Sequence, residues 1–261
     1  MRTSRRASIL AAASLTLSLA LPAAAEAQTT VDYVALGDSY SSGGGVGSYI
    51  DAACRRSELA YPSLLAAELG AELAFEACFG ATAEDLIAGQ LDALDHDTDL
   101  VTLTVGGNDV DWNKAIVSCM VPAHDCTGDI ERSERLAQEE LPALLDALYT
   151  EIGARSPNAE VYVLGYPRLF SAEDACDAFG LISAVEQRRM NEGADTLSDA
   201  IEAAALAHGF VYVDVRDRFE GHAVCDDDAW LHGLTYPVGD SYHPKSAGHA
   251  EGYLPALTAA L

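Results

Sequence analysis

Short runs of aliphatic and β-branched residues alternate along this chain with longer stretches in which Ala and Leu recur among acidic residues. The runs at 31–36, 72–77, 100–105, 160–164 and 210–215 have the length and composition of strands buried on both faces. The stretches at 61–69, 83–94, 131–154 and 181–208 read as helices, and 245–259 as a last one. Pro142 lies inside the third stretch, so that helix is expected to kink or split. Strand and helix in regular alternation predict a parallel sheet with helices on both faces, a single three-layer α/β/α domain. No internal repeat, low-complexity tract or interdomain linker interrupts it. Two connections, 165–180 and 216–242, are long for a compact domain, and such loops are usually functional or pinned.

The first residues follow another logic. Arg2, Arg5 and Arg6 are followed by an uncharged Ala/Leu-rich run from 7 to 21, and Ala25-Glu26-Ala27 is a small-x-small cleavage site. That is the layout of a secretory signal peptide, and its apolar run is too short to span a bilayer. Residues 1–27 are therefore expected to be removed near Ala27, leaving 28–261 as one exported, extracellular domain. Ser4-Arg5-Arg6 resembles a twin-arginine signal, but Ser8 stands where a bulky apolar residue is expected, so the export route stays open. No later run has the length of a membrane span, and stable membrane insertion is not expected.

The whole chain carries 15 basic and 41 acidic residues; losing three Arg and one Glu with the leader leaves 12 and 40, a net charge of −28. Such a surface argues against nucleic acid and anionic membranes, which need cationic contacts, and reads most simply as an adaptation for solubility or salt tolerance. Six cysteines in an exported chain favour disulfides over metal or redox roles. They allow 15 pairings. Cys119 and Cys126 are close enough to staple a local loop, and a bridge from Cys176 to Cys225 would tie the two long connections together. No Cys-x-x-Cys occurs, so neither a zinc site nor a thioredoxin-like motif is supported.

Four blocks stand just beyond the C-terminal ends of predicted strands or in the loop after the last one. They are Gly37-Asp38-Ser39-Tyr40-Ser41-Ser42-Gly43, Cys78-Phe79-Gly80-Ala81-Thr82, Gly106-Gly107-Asn108-Asp109 and Asp240-Ser241-Tyr242-His243-Pro244. Ligand crevices of open parallel sheets form outside the carboxyl ends of the strands, so all four can face one cleft. Each block alone has a plain structural reading. Gly-x-Ser suits a turn and helix cap, Gly80 an unusual backbone angle, Asn108 and Asp109 a cap for the next helix, and His243 a loop hydrogen bond. Their joint presence in this order on one edge points to chemistry.

In order and type, the blocks resemble those of the GDSL/SGNH hydrolase family, named for its Ser, Gly, Asn and His: here Ser39, Gly80, Asn108 and His243. The resemblance runs from residue 31 to about residue 253. It is nearest to the secreted actinobacterial lipase and esterase branch, which has segments similar to Cys54-Arg55-Arg56-Ser57, Ala60-Tyr61-Pro62 and Gly80-Ala81-Thr82. Tyr40 replaces the Leu of the family name, as is common in that branch. The resemblance implies the SGNH-hydrolase fold, a flavodoxin-like five-stranded parallel sheet of order 2-1-3-4-5. It implies three sequential disulfides, Cys54–Cys78, Cys119–Cys126 and Cys176–Cys225. It also implies hydrolysis of carboxylic esters through an acyl-Ser39 intermediate. The implied oxyanion hole is formed by the Ser39 and Gly80 backbone N–H groups and the Asn108 side-chain amide. With the first strand between the second and third, Gly80 and Asn108 would flank Ser39.

A serine hydroxyl needs an adjacent base, the role expected of His243. Asp240, about one turn away, can hold the other ring nitrogen and stabilise the imidazolium. Some members of the branch resemble dyads that use a main-chain carbonyl instead, but a carboxylate at this spacing favours a Ser39–His243–Asp240 triad. Asp38 adjoins the serine but points away on a turn, so it reads as structural. An α/β-hydrolase would show Gly-x-Ser-x-Gly in mid-chain, and here position 41 is Ser.

Other groupings carry less. His222, His232, His243 and His249 lack His-x-x-x-His spacing, Asp226-Asp227-Asp228 reads as a solvated acidic loop, and Gly43-Gly44-Gly45-Val46-Gly47 lacks the Gly-Lys-Ser/Thr of a phosphate loop. Neither metal nor cofactor is expected. The glycine run suits flexibility or close approach beside the nucleophile, while Trp112 and Trp230 could line an acyl pocket or simply pack. A monomeric lipase or acyl esterase acting on a small-molecule or lipid ester stands ahead of a phospholipase or carbohydrate deacetylase. A non-catalytic binding protein of the same fold would be favoured by a missing Ser, Asn or His, and none is missing.

Overall fold

The computed structural model describes residues 30–172 and 176–261; the expected leader, 1–27, lies outside the described residues. β1 (Asp32–Gly37) is followed by a short antiparallel hairpin of β2 (Tyr49–Asp51) and β3 (Arg56–Ser57), then by β4 (Glu72–Phe75), β5 (Leu100–Thr104), β6 (Glu160–Leu164) and β7 (Val211–Val213). All but the hairpin pair in parallel in the order β4-β1-β5-β6-β7, which counted along the chain is 2-1-3-4-5. Alternate residues of each strand enter opposite layers because the side-chain period of a strand is two. Tyr33 and Ala35 of β1 join one core with Tyr162 and Leu164. Val34 and Leu36 join the other with Val101, Leu103, Val161 and Val163.

The helices are α1 (Ser39–Ser42), α2 (Tyr61–Leu69), α3 (Ala83–Asp85), α4 (Trp112–Cys119), α5 (Thr127–Glu139), α6 (Leu141–Arg155), α7 (Ala184–Ala207) and α8 (Leu254–Thr258). The expected break at Pro142 falls between α5 and α6, where proline occupies the first turn of the second helix and needs no N–H partner. Two predicted helices are less regular than their periodicity suggests. The stretch at 83–94 begins as α3 but continues as a π turn, Leu86–Gln90, and a 3-10 turn, Leu91–Ala93. Its Gln90 side chain bridges the backbone of Gly37, accepting from N–H at 2.8 Å and donating to C=O at 3.0 Å. The stretch at 245–259 opens instead with a π turn, Gly248–Tyr253. There Gly252 lies so close to Phe219 that a Cβ would come within 2.5 Å of its ring.

There are three disulfides, Cys54–Cys78, Cys119–Cys126 and Cys176–Cys225; the first ties the β2–β3 turn to the segment after β4, and the second links the end of α4 to the start of α5. The third joins the two long connections. Among the described residues, no helix is long and apolar enough to cross a membrane.

Candidate active site

Ser39 is placed by the turn from β1 into α1. Gly37, at φ +122°, passes so close to β5 that a Cβ would lie 2.5 Å from the Thr104 carbonyl oxygen, so only glycine fits. Asp38 then caps α1, its carboxylate accepting from Tyr40 N–H at 2.9 Å. Tyr166 O–H (2.5 Å) and Thr104 O–H (2.7 Å) also donate to that carboxylate. Burial raises the Asp38 pKa to about 6 against the opposing effect of these donors. Asp38 thus belongs to the scaffold, and Ser39 becomes the first residue of the helix.

His243 arrives from the last long connection, held on several sides. Its carbonyl accepts from His232 N–H at 3.0 Å, the preceding Tyr242 N–H donates to the His232 carbonyl at 3.0 Å, and Tyr40 O–H donates to the Tyr242 carbonyl at 2.6 Å. The imidazole Nε2 lies 2.8 Å from Ser39 Oγ, and Nδ1 lies 2.9 Å from the Ser241 carbonyl oxygen. A carbonyl only accepts, so Nδ1 carries the hydrogen and Nε2 offers its lone pair to the serine hydroxyl. Burial pushes the His243 pKa down to about 4, opposed by the Ser241 carbonyl, so the ring is neutral at neutral pH.

Asp240 requires a correction. Its carboxylate does not take the second ring nitrogen; it pairs with Arg55 at 3.0 Å, and the main-chain carbonyl of Ser241 occupies the position expected for it. Arg55 in turn lies 4.0 Å above the centre of the Phe79 ring, and Phe79 packs against His243 with ring centres 5.1 Å apart. Within the glycine run, Gly44 and Gly45 are the residues that approach the nucleophile and the imidazole. A Cβ on Gly44 would sit 3.1 Å from Ser39 Cβ, and one on Gly45 2.8 Å from His243 Cβ.

Gly80, at φ +84°, and Asn108 line the same cavity as Ser39 and His243. The Ser39 N–H begins its helix and so has no intrahelical acceptor; neither it nor the Gly80 N–H finds an acceptor among the described residues. Asn108 donates one Nδ2 hydrogen to the Ala81 carbonyl at 3.0 Å, which fixes the amide and leaves its second hydrogen for the cavity. Asp109 does not cap the helix that follows it; it accepts from Ala83 N–H at 3.0 Å at the start of α3. The cavity measures about 370 Å³, and its walls are largely apolar, with Trp112, Ile116, Val117, Met120 and Leu197 among them.

A model of the GDSL-like lipase/acylhydrolase family matches residues 35–251. The chain belongs to that family. It is accordingly an ester hydrolase. Over the full length of both chains it is 42% identical to a lipase of Streptomyces rimosus. The solved extracellular lipase of S. rimosus superposes with a TM-score of 0.85 at 40% identity, covering 89% of this chain and all of that one. A phospholipase A1 of Streptomyces albidoflavus NA297 gives a TM-score of 0.84 at 38% identity, over 88% of this chain and 99% of the other.

The hydrolase's two tryptophans divide. Trp112 lines the cavity, whereas Trp230 is buried against Phe219 and stacked on His222. Sequence reasoning missed Ser241, whose contribution is a carbonyl that any residue possesses. It missed α4 as a cavity wall, although the apolar Ile116 and Val117 beside Trp112 were a usable signal. It also missed Tyr166, which joins Asp38 to Gly107 N–H and comes from the long connection after β6.

Proposed function

We propose that the enzyme cleaves carboxylic esters of lipids through an acyl-Ser39 intermediate, using a Ser39–His243 dyad oriented by the Ser241 carbonyl. The observation that carries this reading is the 2.8 Å contact between His243 Nε2 and Ser39 Oγ, at a cavity with mostly apolar walls. As Ser39 Oγ attacks the ester carbon, its proton passes to Nε2, and the carbonyl oxygen becomes an oxyanion. The N–H groups of Ser39 and Gly80 and the Asn108 amide are the donors that stabilise it, each worth about 3–4 kcal/mol in such a site. Collapse breaks the bond to the alcohol, whose oxygen takes the proton from Nε2. A water then gives its proton to Nε2 and attacks the acyl carbon; collapse breaks the bond to Ser39 Oγ, which takes that proton back from Nε2, and the carboxylic acid leaves. Asp240 stays outside these steps.

The cavity wall favours an acyl chain over a sugar ring, which supports a lipase or phospholipase ahead of a carbohydrate deacetylase. The similarity to a phospholipase A1 keeps phospholipid esters within the proposed range. Residues 1–27 are proposed to direct export, in keeping with the extracellular lipase of S. rimosus, and the remainder to act as one domain. A chain-length series of nitrophenyl esters tests the reading. Wild type should turn over and Ser39→Ala should lose at least about 10⁴-fold in kcat. A mutant that kept its rate would remove Ser39 from the mechanism.

A further inference from the structure

Three segments meet beside the cavity, and each carries exposed apolar side chains within two residues of the meeting point. Asp177 accepts from Leu234 N–H at 3.0 Å and from Tyr242 O–H at 2.8 Å, and the same hydroxyl lies 3.5 Å from Met120 Sδ. Two residues beyond Asp177, Phe179 is 96% exposed, and two residues beyond Leu234, Tyr236 is 91% exposed. Val238 and Val117 are more than half exposed while also lining the cavity, and Val121 follows Met120 at the end of α4. The backbone beneath Phe179 is unusual. Ala178, Phe179 and Gly180 have φ of +49°, +58° and +76°, and a non-glycine residue held there costs on the order of 1–3 kcal/mol. Strained backbone thus holds a phenyl ring in water, where burial elsewhere would be worth about 1.5–3 kcal/mol.

We propose that Phe179, Tyr236, Val238 and Val117 form a docking collar for an electrically neutral lipid surface, which delivers the ester directly to Ser39. This rests on the reading of Ser39 as an ester hydrolase nucleophile. The choice of occupant follows from the collar's position. Val117 and Val238 belong both to the collar and to the cavity wall, so whatever covers the collar also covers the way in. A protein partner or a second copy of the chain would shut out substrate, whereas a lipid aggregate is itself the substrate's source. Charge narrows the surface further. A protein of net charge −26, or −28 after loss of the leader, is repelled by anionic headgroups, and a zwitterionic surface removes that penalty. Phe and Tyr, apolar rings with or without a polar tip, suit the boundary between acyl chain and headgroup.

Co-sedimentation with phosphatidylcholine vesicles tests the collar in a Ser39→Ala background, with and without Phe179→Ser plus Tyr236→Ser. Both collar side chains are almost wholly exposed, so their loss should leave the fold intact. The expected result is binding of the Ser39→Ala protein, at least ten-fold weaker binding by the collar variant, and weaker binding of both to vesicles rich in phosphatidylglycerol. In the active enzyme the same two substitutions should leave kcat/KM on a soluble short-chain ester within two-fold of wild type. Equal vesicle binding by the two proteins, or no binding by either, overturns the collar. Dimerisation in place of vesicle binding, abolished by the collar substitutions, assigns the patch to a second copy and overturns it too. A wild type with no soluble-ester activity refutes the nucleophile reading instead, and the sedimentation result still judges the collar.

Discussion

His243 Nδ1 meets a main-chain carbonyl because the segment before it is pinned on both sides. Tyr40 O–H holds the Tyr242 carbonyl at 2.6 Å, and Arg55 draws the Asp240 carboxylate to 3.0 Å. A neutral carbonyl stabilises the imidazolium less than a carboxylate would, but it fixes the tautomer equally well, because it can only accept. Asp240 contributes at a distance, its negative charge opposing the burial that lowers the His243 pKa. Asp240→Asn should therefore cost less than about ten-fold in kcat/KM, whereas loss of the acid from a working triad costs about 10⁴-fold. Kinetics on a soluble nitrophenyl ester decide the matter, and a loss of a thousand-fold or more would return Asp240 to the mechanism. The partly exposed Arg55 pair is worth about 1 kcal/mol or less, so the variant should remain folded.

At the scale of elements, the sheet edge supplies Ser39, Gly80 and Asn108 directly, while His243 depends on a long connection with little regular structure. The Cys176–Cys225 bridge, across a sequence separation of 49, anchors that connection to the one after β6. Replacing both cysteines by Ala should lower stability by about 4 kcal/mol on a loop-entropy account, measured as the difference in unfolding free energy in urea. A change below 1 kcal/mol would show that Asp177, which bonds Leu234 and Tyr242 across the same gap, suffices without the bridge. The division between edge and loop also explains what could be read from the chain. Parallel strands buried on both faces are continuous apolar runs, so β1, β5 and β6 were legible almost to the residue, and with them the position of Ser39 and Asn108 at the mouth of one cavity. The His243 loop is set by contacts between residues far apart in sequence, such as Tyr40 with Tyr242, 202 positions away, and no local pattern encodes those. Asp240 had the right spacing, yet spacing could not reveal that Arg55 would claim it. The π turns were equally hidden, because Gln90 bridging Gly37 is a tertiary contact laid over a helical periodicity.

Across the whole molecule, the pH dependence of stability sets an acidic surface against two buried imidazoles. As pH falls, protonation of surface carboxylates relieves the self-repulsion of a chain at −26, which favours the folded state. Asp38 acts in the same direction: its folded pKa is raised to about 6, so the folded state takes up that proton before the unfolded state does. His243 and His249 act oppositely, since burial lowers their folded pKa values to about 4 and about 3. An unfolded histidine protonates near pH 6.5, so between 6.5 and those values the unfolded state binds protons that the folded state refuses, and stability is lost. The His249 contribution can be isolated. Its Nδ1 accepts from Tyr61 N–H at 3.3 Å, while its buried Nε2 has no partner among the described residues. His249→Asn keeps an acceptor near Nδ1 and removes the titration, leaving the surface charges, Asp38 and His243 unchanged. Between pH 5.5 and 4 the wild type should therefore lose stability faster than the variant by about 1.4 kcal/mol per pH unit, the slope for one proton. Urea unfolding at several pH values measures that difference in slope, and parallel curves for the two proteins would mean that His249 takes up its proton within the fold.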